Sequence, residues 1–431
     1  MALARLPLPD SSAVSLALRE RLKEIFGVEI DPEQAVKQII SEVRERGDAA
    51  IFDYTMRIDR VELTTLQVDR QQITRAYQRV KEELIAALKL AAERIRSFHA
   101  MQYRDIQSRV GRPDVGWMIR PLQRVGIYVP GGTACYPSTA LMTAIPAKVA
   151  GVDEVIMVTP PGPDGEVPAP TLVAADIAGV DHIYCVGGIQ AIAALAFGTE
   201  SVPRVDKICG PGNIFVVLAK KAVYGTVDID GLQGPSEVLI IADDTADPKY
   251  CAADLLAQAE HDPLASSIMI TTSQQLAHEV NREVERQAAT LSHQAVITES
   301  LGNRGMIAVV STVDEAIELA NLYAPEHLCL MVDRAAAYIN QVDNAGAVFI
   351  GNDSAVALGD YVAGPSHTLP TGGTARFSSP LSVDSFTKMI NLVNISRSNL
   401  SQLSQAAIVI AGVEGFDAHV KALEKRLKKP L

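Results

Sequence analysis

The segment RVGIYVPGGTACYPSTALMTAIPAKVAGVDEVIMVTP, residues 124–160, decides the fold class. Its ends, RVGIYVP and DEVIMVTP, are short β-branched runs, and the Ala-rich STALMTAIPAKVAGV between them reads as a helix. Strand, helix and strand in that length mark a mainly parallel α/β sheet. Toward the C-terminus the alternation continues through DHIYCVGG, IQAIAALAFGT and VDKICG, and pauses at GLQGPS. It resumes with EVLIIAD, the helix DPKYCAADLLAQAE, SSIMITTS, MIAVVS, the helix VDEAIELANLY, LCLMVD and AVFIG. Two α/β blocks joined near residue 236 are therefore expected.

Toward the N-terminus the texture is helical from Val14 to Gln107. DPEQAVKQIISEVRERGD puts Ala35, Ile39, Ile40 and Val43 at helical spacing, with Gly47 as a stop. QQITRAYQRVKEELIAALKLAAERIRSFHAMQ predicts one or two further helices. Between Gly351 and Pro380 the chain is rich in Gly and Pro with little periodicity, and a loop that long in a compact domain is expected to be ordered for function. The C-terminal GFDAHVKALEKRLKK predicts an amphipathic helix with Phe416, Val420, Leu423 and Leu427 as its apolar stripe.

Bulk properties limit the function. A chain of 431 residues exceeds what one core usually organises, so two or more lobes are expected, and 48% hydrophobic residues can fill them. Acidic residues outnumber basic ones by 51 to 39, a net charge of −12, which disfavours nucleic acid and anionic membranes as partners. Cys135, Cys185, Cys209, Cys251 and Cys329 show no CxxC spacing, as expected of reduced thiols in a cytoplasmic protein. The opening MALARLPLPDSS lacks the apolar run of a signal peptide or membrane span.

Three constellations carry chemistry. Gln258 and His261 in AQAEHDP stand three apart, so a helix would set them on one face near its C-terminal mouth, with Asp262-Pro263 ending it. Asp360, in a loop shared with His367, and His419 in the last helix add oxygen and nitrogen donors; a set without thiolates suits an open zinc site. Gln-x-x-His is common on helices, Asp360 reads equally as a turn residue after Gly359, and His419 as a packing histidine. No spacing rule links the three segments. Glu326-His327 in YAPEHLCL follows a helix that opens with a Thr312-x-x-Glu315 capping box, and Pro325 lies between. The pair reads as an acid/base couple, or as a surface pair at a strand entrance; on a regular strand the two side chains would point to opposite faces. No strand runs into G-x-G-x-x-G. Tyr128 to Thr133, Gly187 to Gln190 and Cys209 to Asn213 are glycine-containing turns at predicted strand ends, where open α/β sheets bind ligands, although tight turns alone would also use those glycines.

These motifs, above all IDGLQGPSEVLIIADDTADPKYCAADLLAQAEHDP over residues 229–263, resemble the histidinol dehydrogenase family, and the likeness spans nearly the whole chain. The resemblance implies oxidation of L-histidinol through the aldehyde to L-histidine with two NAD, in the last steps of histidine biosynthesis. It implies one zinc per subunit held by Gln258, His261, Asp360 and His419, the last reaching across a homodimer with shared active sites. It assigns Glu326 and His327 to proton transfer, and Ser236, Gln258, His261, Glu326, His327, Asp360, His367, Glu414 and His419 to the substrate. It assigns Tyr128, Gln190 and Asn213 to NAD. The expected architecture is two Rossmann-like α/β lobes with helical N-terminal and C-terminal extensions in an intertwined dimer. The expected divisions are a helical arm over 1–28, a larger lobe over 29–124 plus 237–380, an inserted NAD lobe over 125–236, and a C-terminal segment over 381–431 serving the partner's site. The rival readings are a zinc hydrolase needing no nicotinamide, an aldehyde dehydrogenase acting through Cys209, and a non-catalytic two-lobed binding protein.

Overall fold

The computed structural model describes residues 16–107, 115–131 and 135–428. Residues 1–15 of the expected N-terminal arm, and Gly132 and Thr133 of the first glycine-containing turn, lie outside the described residues.

The described residues start with five helices: α1 (Leu16–Phe26), α2 (Pro32–Arg46), α3 (Asp48–Asp59), α4 (Arg70–Arg79) and α5 (Glu82–Gln107). α2 begins with a complete capping box, Asp31 and Gln34 each bonding the other's backbone N–H. It ends at Gly47 and buries Ala35, Val36, Ile39 and Val43, as its periodicity predicts; Ile40 is half-buried. Then come β1 (Val115–Pro121), β2 (Arg124–Tyr128), α6 (Pro137–Ala150), β3 (Glu154–Thr159), α7 (Ala169–Ala178), β4 (His182–Cys185), α8 (Gly188–Phe197), β5 (Lys207–Cys209), α9 (Ile214–Val223) and β6 (Asp228–Ile229). The second block contains β7 (Glu237–Ala242), α10 (Pro248–Ala259), β8 (Ser266–Thr271), α11 (Gln274–Ala288), α12 (Gln294–Arg304), β9 (Gly305–Val309), α13 (Val313–Tyr323), β10 (His327–Met331), β11 (Ala347–Ile350) and α14 (Val356–Tyr361). The chain closes with β12 (Thr387–Val393), α15 (Arg397–Val413) and α16 (Asp417–Leu427).

Two parallel five-stranded sheets result, in the orders β4-β3-β2-β5-β6 and β11-β10-β7-β8-β9. The fold class is thus the expected one, two α/β blocks on either side of residue 236. Each sheet starts at its centre, adds strands to one side and then to the other, leaving a switch point beside β2 and another beside β7. Their central strands are apolar on both faces, as covered parallel sheets require: all of β7, β8 and β10 is buried. One core packs α2, α3, α8 and α9 on the first sheet, and two more cover the faces of the second.

The chain separates into two compact units, residues 1–103 with 122–386, and 104–121 with 387–431. The first contains both sheets. The second contains an antiparallel ribbon of β1 and β12, in register from Val115 with Val393 to Pro121 with Thr387, and the α15–α16 hairpin. Neither ribbon strand was expected, because partners this far apart in sequence leave no local signal. Among the described residues no helix is long and apolar enough to cross a membrane.

Candidate active site

Glu326 and His327 are both buried. Ala324 adopts a left-handed conformation (φ 54°) before Pro325, and β10 begins only at His327. Glu326 therefore precedes the pleat, which frees its side chain from strand alternation. Both side chains turn to the backbone of Glu237, the first residue of β7. The Glu326 carboxylate accepts the Glu237 N–H at 2.8 Å, and His327 Nδ1 faces the Glu237 carbonyl at 3.0 Å. A carbonyl can only accept, so Nδ1 carries hydrogen and Nε2 is the atom left to exchange a proton. The Glu315 carboxylate accepts from Ser311 rather than from the Thr312 N-cap, so the capping box expected upstream on α13 is only half formed.

Burial pushes the Glu326 carboxyl up to about 7, against the opposing pull of His327 and the Glu237 N–H. Burial alone would lower His327, but the charges of Glu326 and Asp360 outweigh it and raise the imidazolium to about 9. His327 Nδ1 lies 3.5 Å from a Glu326 oxygen, and its Nε2, 3.6 Å from Asp360 Oδ1, has no hydrogen-bond partner among the described residues. Asp360 itself is desolvated, yet His327, His367 and His261 hold its carboxyl below the usual range.

Asp360 comes from α14, a helix inside the segment expected to be an aperiodic loop; with only six residues, periodicity had too little length to register. His367 Nδ1 lies 2.8 Å from the Asp360 carbonyl, which again leaves Nε2 free, and burial lowers this imidazole. Gln258 is buried in the last turn of α10, but His261 lies beyond the helix and is exposed. The expected shared helix face is therefore corrected. Pro263 disfavours helical geometry in the residue before it, Asp262 makes a turn by accepting the Leu264 N–H at 2.7 Å, and α10 stops at Ala259. The His261 N–H still reaches the Gln258 carbonyl at 3.3 Å.

Gln258, His261 and Glu326 precede strands of the second sheet and His327 opens one, all at its amino-terminal edge, where α10 and α13 end. Unpaired carbonyls at helix C-termini favour a cation there. The donor types of Gln258, His261 and Asp360 fit a divalent zinc ion. Among the described residues no three His, Cys, Asp or Glu side chains form a metal-holding group by themselves. Ser236 is half-buried just before β7, and its carbonyl accepts the Ser266 N–H. Glu414 caps the end of α15 and His419 lies in the first turn of α16, both exposed in the second unit.

Tyr128, Gln190 and Asn213 gather at the carboxyl ends of first-sheet strands. Tyr128 closes β2 and is buried; its hydroxyl accepts the Gly188 N–H at 3.2 Å, and burial pushes it up to about 12. Gln190, in the first turn of α8, is fully buried, and among the described residues neither of its amide atoms has a hydrogen-bond partner. A buried amide left without partners at a strand end fits a site for a polar ligand such as a dinucleotide. Asn213 caps α9, its carbonyl oxygen accepting from Phe215 and Val216, and is exposed. Cys209, by contrast, is fully buried and its thiol is raised well above its ordinary value, which removes the thiolate an acyl-transfer nucleophile needs.

Buried Asp254 on α10, which no motif singled out, is raised by burial to about 6, with the backbone of Val356 at the start of α14 pulling the other way. It sits one helical turn before Gln258, and a lone polar residue in an apolar stretch is the only sequence signal it gives.

The sequence model of histidinol dehydrogenase matches residues 28–427. Histidinol dehydrogenase from Dehalococcoides mccartyi (strain CBDB1) is 54% identical over 98% of this chain and 97% of its own length. The Clostridium acetobutylicum protein of the same name is 50% identical over 92% of each. A crystal structure of histidinol dehydrogenase from Elizabethkingia anophelis superposes with a TM-score of 0.87 at 36% identity, covering 96% of both chains. The chain belongs to the histidinol dehydrogenase family.

Proposed function

We propose that this protein is a cytoplasmic, zinc-containing, NAD-dependent L-histidinol dehydrogenase that oxidises L-histidinol through L-histidinaldehyde to L-histidine. The observation that carries the reading is the buried pair of proton-transfer groups, Glu326 and His327, hung on one peptide residue, Glu237, beside Asp360. Gln258, His261 and Asp360 would hold zinc with His419 of a second copy, and the metal would supply orientation of the amino alcohol and polarisation of its oxygen. NAD, held by Tyr128, Gln190 and Asn213, would accept the hydrides. Ser236, His367 and Glu414 would bind the polar groups of the substrate. The larger lobe (29–124 with 237–380), the NAD lobe (125–236) and the C-terminal segment (381–431) would divide these tasks in a homodimer with shared sites.

His327 Nε2 takes the hydroxyl proton in the alcohol step. Its high proton affinity comes from the Glu326 and Asp360 charges; a zinc ion held by the Asp360 carboxylate would offset that charge and leave His327 readier to accept. Glu326, poised at about 7 by burial, removes a proton from water as it attacks the retained aldehyde. Two groups of different proton affinity thus serve two half-reactions in one site.

The deciding experiment is the yield of NADH per L-histidinol consumed, before and after zinc removal. Two NADH per substrate, lost on chelation and restored by zinc, is expected. No NADH from zinc-loaded protein would overturn the reading in favour of a hydrolase or binding protein.

A further inference from the structure

Lys220 on α9 and Asp230 after β6 form an ion pair in which each side chain is only 1% exposed. Lys220 Nζ also donates to the Gly210 carbonyl at 3.1 Å and to Gln233 Oε1 at 2.9 Å. The other Asp230 oxygen accepts the Gly210 N–H at 2.7 Å. One buried pair therefore grips both backbone groups of Gly210, in the turn between Cys209 and Asn213. Gly210 has φ +116°, and a Cβ there would stand 2.1 Å from the Tyr128 carbonyl oxygen. Only glycine lets the ends of β5 and β2 meet this closely.

The same pair reaches toward the second sheet. Past Gln233, the Gly234 N–H donates to Thr371 Oγ1 at 2.6 Å, and three residues on Glu237 bonds Glu326 and His327. The connector 230–237 is thus tied at one end to the glycine turn and at the other to the acid/base pair. An apolar pair of equal volume would fill this space with comparable stability. What the charges add is direction, because charge-assisted bonds fix Gly210 and Gln233 at set angles.

We infer that Lys220 and Asp230 are positioning residues that hold the 209–213 turn, and the nicotinamide cofactor on it, in register with Glu326 and His327 through the 230–237 connector. The inference rests on the dehydrogenase reading above. Two hydride transfers from one retained carbon require the same donor–acceptor alignment twice, and misplacement by about 1 Å is worth ~10²-fold in rate.

The test is steady-state kinetics of Lys220→Met with NAD and L-histidinol, alongside NAD binding by calorimetry. The KM and Kd for NAD are expected to rise at least tenfold, with the KM for L-histidinol within twofold of wild type and zinc content unchanged. Both KM values rising together, or a folded variant with unchanged NAD affinity, would overturn the inference. If Lys220→Met does not fold, half-buried Gln233→Leu decides: it removes one acceptor of Nζ and should raise the NAD KM two- to fivefold. An unchanged value there would also overturn it. Wild-type protein that makes no NADH would overturn the dehydrogenase reading itself, whereas normal wild-type turnover with an insensitive variant rejects only the role of the pair.

Discussion

Nε2 of His327 stands 3.6 Å from Oδ1 of Asp360, an ion-pair separation too long for a hydrogen bond. With Nδ1 committed to the Glu237 carbonyl, His327 presents one exchangeable position, directed at the carboxylate expected to hold zinc. His327→Asn should therefore slow alcohol oxidation more than aldehyde oxidation, and Glu326→Gln the reverse, each by ~10²-fold or more in its own step. Stopped-flow traces with L-histidinol and with added aldehyde read the two steps separately; equal slowing of both in both variants would refute the division.

Asp254 joins α10 to α14. α14 starts after Ala355, which offers no capping side chain, and the Val356 backbone there lowers the Asp254 carboxyl against its burial. Val356 packs in the same core as Cys251, Ala252 and Leu255 of α10. Asp254→Ala should cost ~1 kcal/mol or more for the lost polar contact with the start of α14 and loosen zinc as Asp360 shifts, while Asp254→Asn, which keeps an acceptor oxygen, should hold zinc more tightly than the Ala variant. Metal retained after dialysis against a chelator measures this, and equal retention in both variants would count against it.

Sharing of sites between copies is expected to show by complementation. His419→Ala and His261→Ala should each lose zinc and activity, and their mixture should regain part of both, because one site in the heterodimer keeps a full ligand set. Verified heterodimers without recovered activity would rule out sharing.

Gln190 should trade stability for cofactor affinity. Its amide is fully buried without partners among the described residues, a desolvation penalty of ~1–3 kcal/mol. Gln190→Met should raise Tm while raising the KM for NAD; a fall in Tm with unchanged KM would mean the amide serves the fold alone.

Asp59 gives a pH-dependent stability. Burial raises its carboxyl to about 6, with Arg21 opposing. The folded protein then binds a proton that the unfolded chain releases near 3.9, so this contribution to stability is complete below about 3.9 and is lost as pH rises through about 6. Asp59 is partly exposed, so the span is about 1–2 kcal/mol once solvent screening is counted. Asp59→Asn should be more stable than wild type at pH 7 and lose that advantage below pH 4, as denaturant titrations at the two pH values would show.

Much of the fold was legible because it rests on local signals. The β-branched runs became the strands β2 to β5 and β7 to β11, and Gly47 ended α2. The β1–β12 ribbon was not legible, since its register links Val115 to Val393. Within the site the chemical types of Gln258, His261, Glu326, His327 and Asp360 could be read, but not their surroundings. The usual rule places ligands at carboxyl ends of strands, where Tyr128 and Asn213 lie, yet Glu326 and His327 stand at the amino-terminal edge of the second sheet.

The sequence by itself determined the strand–helix alternation, the absence of a dinucleotide fingerprint, and the motifs of residues 229–263 that carry the family likeness, because each depends on residue type at short spacing. Tertiary structure alone decided that Glu237, silent as a motif, would hold Glu326 and His327 through its backbone, that α10 would stop before His261, and that Lys220 and Asp230 would meet around Gly210. Those outcomes depend on which strand ends come together and which charges lose their water, and both follow only from packing distant segments into one core.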